Sequence, residues 1–111
     1  MESGYYIYIM RCSGDRLYTG YTSDPVKRFN EHKTGRGGAK FTRGFKPVAF
    51  EGIWEVAGTK GDAMKIEAFI KSLKRADKIK LIKEPLMLKE LVSETYPQIE
   101  INVSDIIITD A

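Results

Sequence analysis

Residues 5–21 read YYIYIMRCSGDRLYTGY, and this stretch decides the fold class. Both of its ends are rich in β-branched and aromatic residues, which favour strands, whereas Ser13, Gly14 and Asp15 are typical of a tight turn. The pattern predicts an antiparallel hairpin centred on Gly14, in which Met10 pairs with Tyr18. Because alternate residues of a strand share a face, five side chains are predicted to point to one side: Tyr6, Tyr8, Met10, Tyr18 and Gly20.

A helix and a third strand are predicted after the hairpin. Asp24 is suited to be the N-cap, Pro25 the first helical residue and Gly35 the C-terminal stop of a helix of about ten residues. Residues 48–56 then predict a strand that is apolar on both faces, which indicates a central position in the sheet. Its large side chains are predicted to alternate, with Phe50 and Trp54 on one face and Ala49 and Ile53 on the other.

Two further helices complete the predicted domain. Asp62 is the expected cap of a helix that ends near residue 73, and a shorter helix is expected over residues 76–82. The apolar stripe of the first of these helices comprises Ile66, Phe69, Ile70 and Leu73. The order β-β-α-β-α-α indicates an α+β fold with a small three-stranded sheet flanked by helices. We assign residues 4–83 to this domain and residues 84–111 to an acidic C-terminal extension, with one further helix over residues 86–94.

Length and composition favour one globular domain. The chain has 111 residues, of which 42% are hydrophobic, so a core can form without disulfides or metals. Cys12 is the only cysteine, which excludes an internal disulfide and a zinc site of several cysteines. The apolar run at residues 5–10 is too short for a signal peptide or a membrane span. We therefore expect a cytoplasmic protein that makes no contact with a membrane.

The charge of the chain is distributed unevenly. Residues 1–83 contain 17 Lys and Arg against 9 Asp and Glu, a balance of +8, whereas residues 84–111 contain one Lys against 6 acids, a balance of −5. A basic body attracts polyanions, nucleic acid first among them. A solvated, lysine-rich surface accounts for the charge equally well.

Several polar residues have the spacing of a functional site. Arg28 and His32 are four residues apart and share one face of the first helix, which predicts a cationic, ligand-binding face. Glu67 is suited to bind a hard divalent cation, although an ordinary ion pair with Lys71 also explains it. In the hairpin register Gly20 lies opposite Tyr8 and is expected to leave room beside the phenol. The alternative explanations are that the hairpin tyrosines serve only in packing and that Arg28 and His32 lie on a solvated helix surface.

Taken together, these residues resemble the GIY-YIG nuclease domain. The resemblance covers residues 4–82 and rests on the segment Tyr6-Ile7-Tyr8, the ten-residue step to Tyr18-Thr19-Gly20, and the later Arg28, His32 and Glu67. It is greatest with the small single-domain bacterial and archaeal members, with the catalytic module of the eukaryotic structure-specific endonuclease subunit and with the nuclease domain of the bacterial excision repair nuclease. Tyr6 and Thr19 depart from the family's Gly and Ile, and residues 68–83 lack the Asn found in its homing-endonuclease branch.

The resemblance implies metal-dependent hydrolysis of DNA phosphodiester bonds. Glu67 would hold Mg²⁺ or Mn²⁺, and Tyr8 or Tyr18 would take a proton from the attacking water. Arg28 would stabilise the phosphate charge, and His32 would position water or phosphate or act as the base. The resemblance implies DNA contacts for Lys40, Arg43, Lys46 and Lys71, a structural role for Gly20, and base stacking or core anchoring for Phe41 and Phe45.

DNA repair or recombination on branched or single-stranded DNA is the expected role. The alternatives are a nucleic-acid-binding module of weak activity, a nuclease subunit that depends on a partner protein, and an interaction protein that works through its C-terminal extension. The extension at residues 84–111 is expected to pack on the domain, or to pair with a second copy or another protein. Its two prolines and isolated acids are also compatible with a solvated, disordered tail.

Overall fold

The computed structural model describes residues 4–35 and 45–109. Within them the strands are β1 (Tyr5–Cys12), β2 (Arg16–Thr22), β3 (Pro47–Ala57), β4 (Glu100–Val103) and β5 (Ile108–Thr109). The helices are α1 (Pro25–Thr34), α2 (Lys60–Lys71), α3 (Arg75–Lys83) and α4 (Leu86–Thr95). All strand pairs are antiparallel; the order is β2-β1-β3-β4, and β5 also pairs with β3. The predicted α+β class is confirmed.

The hairpin has the predicted register. Met10 lies opposite Tyr18, and Tyr8 lies opposite Gly20. Gly14 and Asp15 have φ values of 75° and 59°, in the left-handed region that glycine and aspartate tolerate better than most residues. Turn chemistry therefore sets which side chains of β1 and β2 share a face.

The limits of α1 are confirmed, whereas the predicted cap of α2 is wrong. Asp24 Oδ1 accepts a hydrogen bond from the Lys27 backbone at 3.1 Å, and Gly35 ends α1 with a φ of 72°. Helix α2 is capped by Thr59, because the Thr59 hydroxyl and the Asp62 carboxylate each accept from the other's backbone N–H. This reciprocal capping box begins the helix earlier than a cap at Asp62 would.

The predicted faces of β3 are wrong because the strand is bulged. Ile9 pairs with Gly52 but Met10 pairs with Phe50, so Glu51 is an extra residue in the ladder. An extra residue shifts the alternation of side chains. Phe50 consequently packs beside Tyr8, on the face opposite Trp54.

The sheet lies between two layers. Helix α1 covers the face that carries Tyr8 and Met10, whereas α2, α3 and α4 cover the face that carries Ile7 and Ile9. Among the described residues, no helix is long and apolar enough to cross a membrane.

The three-stranded sheet of the prediction is too small, because the C-terminal extension adds β4 and β5 to β3. Leu88 and Ile101 are buried in the same core as Trp54, whose indole N–H donates to the Pro85 carbonyl at 2.9 Å. Of the arrangements expected for the extension, the structure shows packing on the domain.

Candidate active site

An open cleft of about 520 Å³ lies at β2, the terminal strand of the sheet. Strands β1 and β2 form its floor, and α1 and α2 contribute its charged walls. The cleft is lined by Tyr5, Tyr8, Tyr18, Gly20, Tyr21, Thr22, Ser23, Arg28, Glu31, Lys60 and Glu67. Five of the residues singled out in the sequence therefore meet here: Tyr8, Tyr18, Gly20, Arg28 and Glu67.

Gly20 allows the Tyr8 phenol to reach the cleft. A Cβ atom on Gly20 would lie 2.6 Å from Cζ of Tyr8, a distance that real Cβ contacts do not adopt. The expectation of free space beside the phenol is wrong, since the Tyr8 ring itself fills that space. A side chain at residue 20 would push the hydroxyl away from the edge of the sheet.

The Tyr8 hydroxyl is held between two side chains of α1. It lies 2.8 Å from Nε2 of His32, and it also bonds with the Arg28 guanidinium. Since Arg28 has only donors, the phenol oxygen accepts from it, and the phenol O–H donates to Nε2 of His32 when the imidazole carries its own proton on Nδ1. The Tyr8 ring is stacked on Phe50, with centroids 4.1 Å apart and planes at 11°, which fixes the direction of the hydroxyl.

Burial keeps both Tyr8 and His32 neutral. Burial, reinforced by the nearby charge of Arg28, lowers the pKa of His32 to about 4, although Glu31 acts in the opposite direction. Burial raises the pKa of Tyr8 well above its ordinary value, against the effect of Arg28. The expected cationic face is therefore wrong for His32, which is 1% exposed, does not line the cleft and lies behind Tyr8 as a neutral acceptor.

Arg28 remains charged at the wall of the cleft. Desolvation lowers the pKa of its guanidinium, but bonds to Glu31 and Tyr8 outweigh this effect and the net shift is upward. Arg28 Nη1 lies 3.0 Å from Glu31 Oε1, and the Arg28 side chain is 20% exposed. A fixed, partly desolvated guanidinium is suited to bind phosphate.

Tyr18 forms the other aromatic wall. Its ring centroid lies 6.3 Å from that of Tyr8 and 5.2 Å from that of His32. Tyr18 is only partly buried, so it is more accessible from the cleft than Tyr8. The two phenols therefore occupy different environments.

Glu67 is suited to hold a divalent cation. It extends from α2 into the cleft, its side chain is 19% exposed, and Oε2 lies 3.5 Å from Nζ of Lys71. Residues 4–35 and 45–109 contain no group of three or more His, Cys, Asp or Glu that could form a complete metal cage. Mg²⁺ fits such a donor set, because it usually takes one or two carboxylates and keeps water and phosphate oxygens as its other ligands.

The residues predicted to bind DNA are spread over the molecule. Lys71 is exposed beside Glu67, whereas Lys46 lies next to the hairpin turn, where its backbone N–H donates to Ser13 Oγ at 3.0 Å. Lys46 does not line the cleft. Lys40, Phe41 and Arg43 lie outside the described residues.

Phe45 packs against the core beneath the Arg16 guanidinium, whose Cζ lies 4.1 Å from the ring centroid. This packing supports the anchoring role of Phe45 over base stacking.

Sequence reasoning missed Lys60, Tyr5 and Tyr21. Lys60 begins α2 and adds a second cation to the cleft. Tyr5 and Tyr21 pack edge to face, with centroids 6.4 Å apart. No motif or periodicity in the sequence points to Lys60, because it reaches the cleft through the turn before α2. The Tyr5–Tyr21 pair could have been predicted, because the hairpin register places these two residues close together on one face.

This arrangement defines the class of protein: an α+β domain in which hairpin tyrosines, a helical arginine and one helical carboxylate face a single cleft. Residues 4–80 match the family model of the GIY-YIG catalytic domain. The chain belongs to the GIY-YIG family, and the resemblance seen in its motifs is confirmed. Helix α4 and strands β4 and β5 lie beyond the matched residues.

Known relatives are similar over most of their length. The chain is 42% identical over 79 residues to a UPF0213 protein of Syntrophus aciditrophicus (strain SB), covering 71% of this chain and 90% of the relative. It is 45% identical over 83 residues to a UPF0213 protein of Oceanobacillus iheyensis, covering 74% and 93% respectively. The solution NMR structure of a UPF0213 protein from Bacillus halodurans is 38% identical, with a TM-score of 0.42 over 72% of this chain and 83% of that one.

Proposed function

We propose that this protein is a divalent-metal-dependent DNA endonuclease that hydrolyses phosphodiester bonds in the cleft at β2. The observation that carries the proposal is the convergence of Tyr8, Arg28 and Glu67, from three different elements, on that cleft. Metal-dependent phosphodiester hydrolysis uses an acceptor for the proton of water, a positive group for the phosphate and a ligand for the metal. These three side chains supply one of each.

Arg28 stabilises the charge that develops on the phosphate. Its side chain is held by Glu31 and Tyr8, so little reorganisation is needed when substrate binds. A preorganised donor of this kind contributes roughly 3 to 4 kcal/mol to transition-state stabilisation. Lys60 adds a second positive charge to the same cleft.

Tyr8 and His32 relay the proton of the attacking water. As the water O–H bond breaks, the Tyr8 oxygen gains that proton and the phenol's own proton passes to Nε2 of His32, 2.8 Å away. The nascent hydroxide attacks phosphorus, the bond from phosphorus to the leaving oxygen breaks, and the leaving oxygen takes a proton from solvent. The imidazole then returns its proton through Tyr8 to water in the cleft, which restores the neutral His32. The relay needs no standing phenolate, which suits a Tyr8 whose pKa burial raises. Tyr18, at the open side, orients the water.

Glu67 holds Mg²⁺ or Mn²⁺ in this proposal. When bound, such an ion polarises the scissile phosphate and stabilises the leaving oxygen. Lys71 Nζ lies 3.5 Å from Glu67 Oε2 and offsets part of the repulsion between Glu67 and incoming DNA. The family resemblance extends the proposal to branched or single-stranded DNA in repair or recombination.

A panel of end-labelled DNA tests the proposal directly. The purified protein is incubated with a single strand, a duplex, a flap and a four-way junction, each with Mg²⁺, Mn²⁺ or EDTA. Cutting of at least one substrate that stops in EDTA supports the proposal. Binding without cutting under every metal condition would overturn it in favour of a nucleic-acid-binding module.

A further inference from the structure

A row of polar side chains crosses the sheet beside the candidate active site. Tyr6 of β1 lies opposite Thr22 of β2 on one side and Glu55 of β3 on the other, and Glu55 lies opposite Asn102 of β4. Directly opposite residues share a face of the sheet. With strands about 4.8 Å apart, the row spans about 14 Å. We call Thr22, Tyr6, Glu55 and Asn102 the polar row.

The polar row is continuous with the cleft. Thr22 lines the cleft, and Tyr6 lies two residues before Tyr8 and therefore on the same face of β1. A second cavity, of about 410 Å³, is lined by the other three members of the row, and Tyr5 lines both this cavity and the cleft. A strand bound with its scissile phosphate at Arg28 in the cleft therefore has a neighbouring nucleotide beside the polar row.

Three groups in this cavity are available to a ligand. Within residues 4–35 and 45–109, nothing bonds to the Tyr6 hydroxyl or the Glu55 carboxylate. Asn102 Oδ1 accepts from Nζ of Lys89 at 2.8 Å, which fixes the orientation of the amide. The Asn102 NH₂ group is consequently free to donate.

We propose that the polar row binds an unpaired nucleobase that carries an exocyclic amino group, next to the bond cut in the cleft. Glu55 accepts from the amino group, as carboxylates do with cytosine N4, and its charge repels phosphate. Asn102 donates to a carbonyl oxygen or ring nitrogen, and the Tyr6 ring offers a stacking surface. Thymine lacks the amino group, and a paired base has its Watson–Crick edge occupied.

This inference rests on the proposed function, since it assumes a DNA strand in the cleft. It also gives the C-terminal extension a part in recognition. Asn102 comes from β4, and Lys89, which orients it, comes from α4. Both lie beyond the residues matched by the family model.

Binding without catalysis tests the subsite. Fluorescence anisotropy in EDTA at one salt concentration compares two labelled duplexes that differ only in a four-nucleotide overhang, dC or dT, with a blunt duplex as reference. The wild type is expected to bind the dC overhang at least about tenfold more tightly than the dT overhang, the lower end of the value of one hydrogen bond to a charged group. Glu55→Ala and Asn102→Ala are expected to reduce that ratio towards one.

Glu94→Ala removes the same charge from an exposed residue of α4 and is expected to keep the ratio. Thermal melting of each variant confirms that it is folded. Equal wild-type affinity for both overhangs, or an unchanged ratio in Glu55→Ala, would overturn the subsite. If the protein cuts DNA but shows no base preference, only the base-binding subsite is contradicted. If it shows the base preference but does not cut DNA, only the proposed nuclease function is contradicted.

Discussion

The Tyr8 hydroxyl lies 2.8 Å from Nε2 of His32, and each of these side chains is 1% exposed. The phenol therefore has a fixed hydrogen-bond acceptor inside the protein while its oxygen borders the cleft. His32 is the only histidine of the chain. The pair gives the candidate active site an internal route for a proton.

Tyr8→Phe removes the hydroxyl and leaves the ring stack on Phe50. We expect the cleavage rate to fall by about 10² to 10⁴-fold, the usual contribution of proton transfer. The stability of the fold falls by about 1 to 3 kcal/mol, because Nε2 of His32 loses its partner in the core. Single-turnover cleavage and urea denaturation measure the two effects.

Tyr96→Phe is the matched control for this change. Tyr96 is partly buried on the face of the sheet that α2, α3 and α4 cover, opposite the face that carries Tyr8. The control is expected to cut DNA at the wild-type rate. Equal rates for wild type and Tyr8→Phe would contradict the relay, even if the protein remains a nuclease.

Stability is expected to fall in acid because of His32. Its pKa is about 4 in the folded protein and near 6.5 in an unfolded chain, so the unfolded state binds more protons between these values. The contribution of the neutral, buried imidazole to the free energy of unfolding is fully present above pH 6.5. It decreases below that pH and is lost as the pH falls through 4. The loss amounts to roughly 2 to 3 kcal/mol.

Urea denaturation of wild type and His32→Gln from pH 7.5 to 4 measures this effect. The free energy of unfolding should fall more steeply for wild type than for the variant. NMR of the single imidazole reports its pKa directly. Parallel pH profiles, or a pKa near 6.5, would show that the imidazole is not buried as a neutral group.

Gly20→Ala tests the close contact between β2 and Tyr8. The new Cβ requires the phenol to move, since it would lie 2.6 Å from Cζ of Tyr8. We expect a loss of about 1 to 3 kcal/mol in stability and a large fall in cleavage rate. At Gly61 a Cβ meets only Thr59 Oγ1, at 3.6 Å, so Gly61→Ala should leave both unchanged or slightly raise stability. Wild-type activity in Gly20→Ala would disprove the spacing argument.

Leu88→Ala tests whether the C-terminal extension belongs to the core. Leu88 is fully buried beside Trp54, whereas Leu86 on the same helix is 67% exposed. Leu88→Ala should cost about 2 to 5 kcal/mol, and Leu86→Ala less than about 0.5 kcal/mol. Thermal melting followed by the fluorescence of the single tryptophan measures both. A small, equal cost at the two positions would make the extension a separate appendage.

The sequence predicted the features that local chemistry determines. Turn residues at Gly14 and Asp15 fix the hairpin register, and Asp24 and Gly35 fix the ends of α1. Those positions predict the face of β1 that carries Tyr8 and the face of α1 that carries Arg28, and the family resemblance then brings the two together. The family motifs then add Glu67.

The errors arise where distant contacts override local patterns. Alternation assumes a regular ladder, so the extra residue Glu51 in β3 reversed the predicted face of Phe50. Strands as short as β4 and β5 carry little signal of their own and form because β3 offers an open edge. His32 became a neutral, buried group through the packing of α1 on the sheet, which helix spacing alone cannot show.

The most direct test of the central claim is single-turnover DNA cleavage by Glu67→Gln in Mg²⁺. Glu67→Gln removes the carboxylate charge and keeps the shape of the side chain, and Glu94→Gln makes the same change on α4. Glu67→Gln is expected to cut DNA at least about 10²-fold more slowly than wild type while its affinity for DNA in EDTA is retained, and Glu94→Gln is expected to cut at the wild-type rate. Cleavage by Glu67→Gln at the wild-type rate would contradict the proposal that Glu67 holds the catalytic metal.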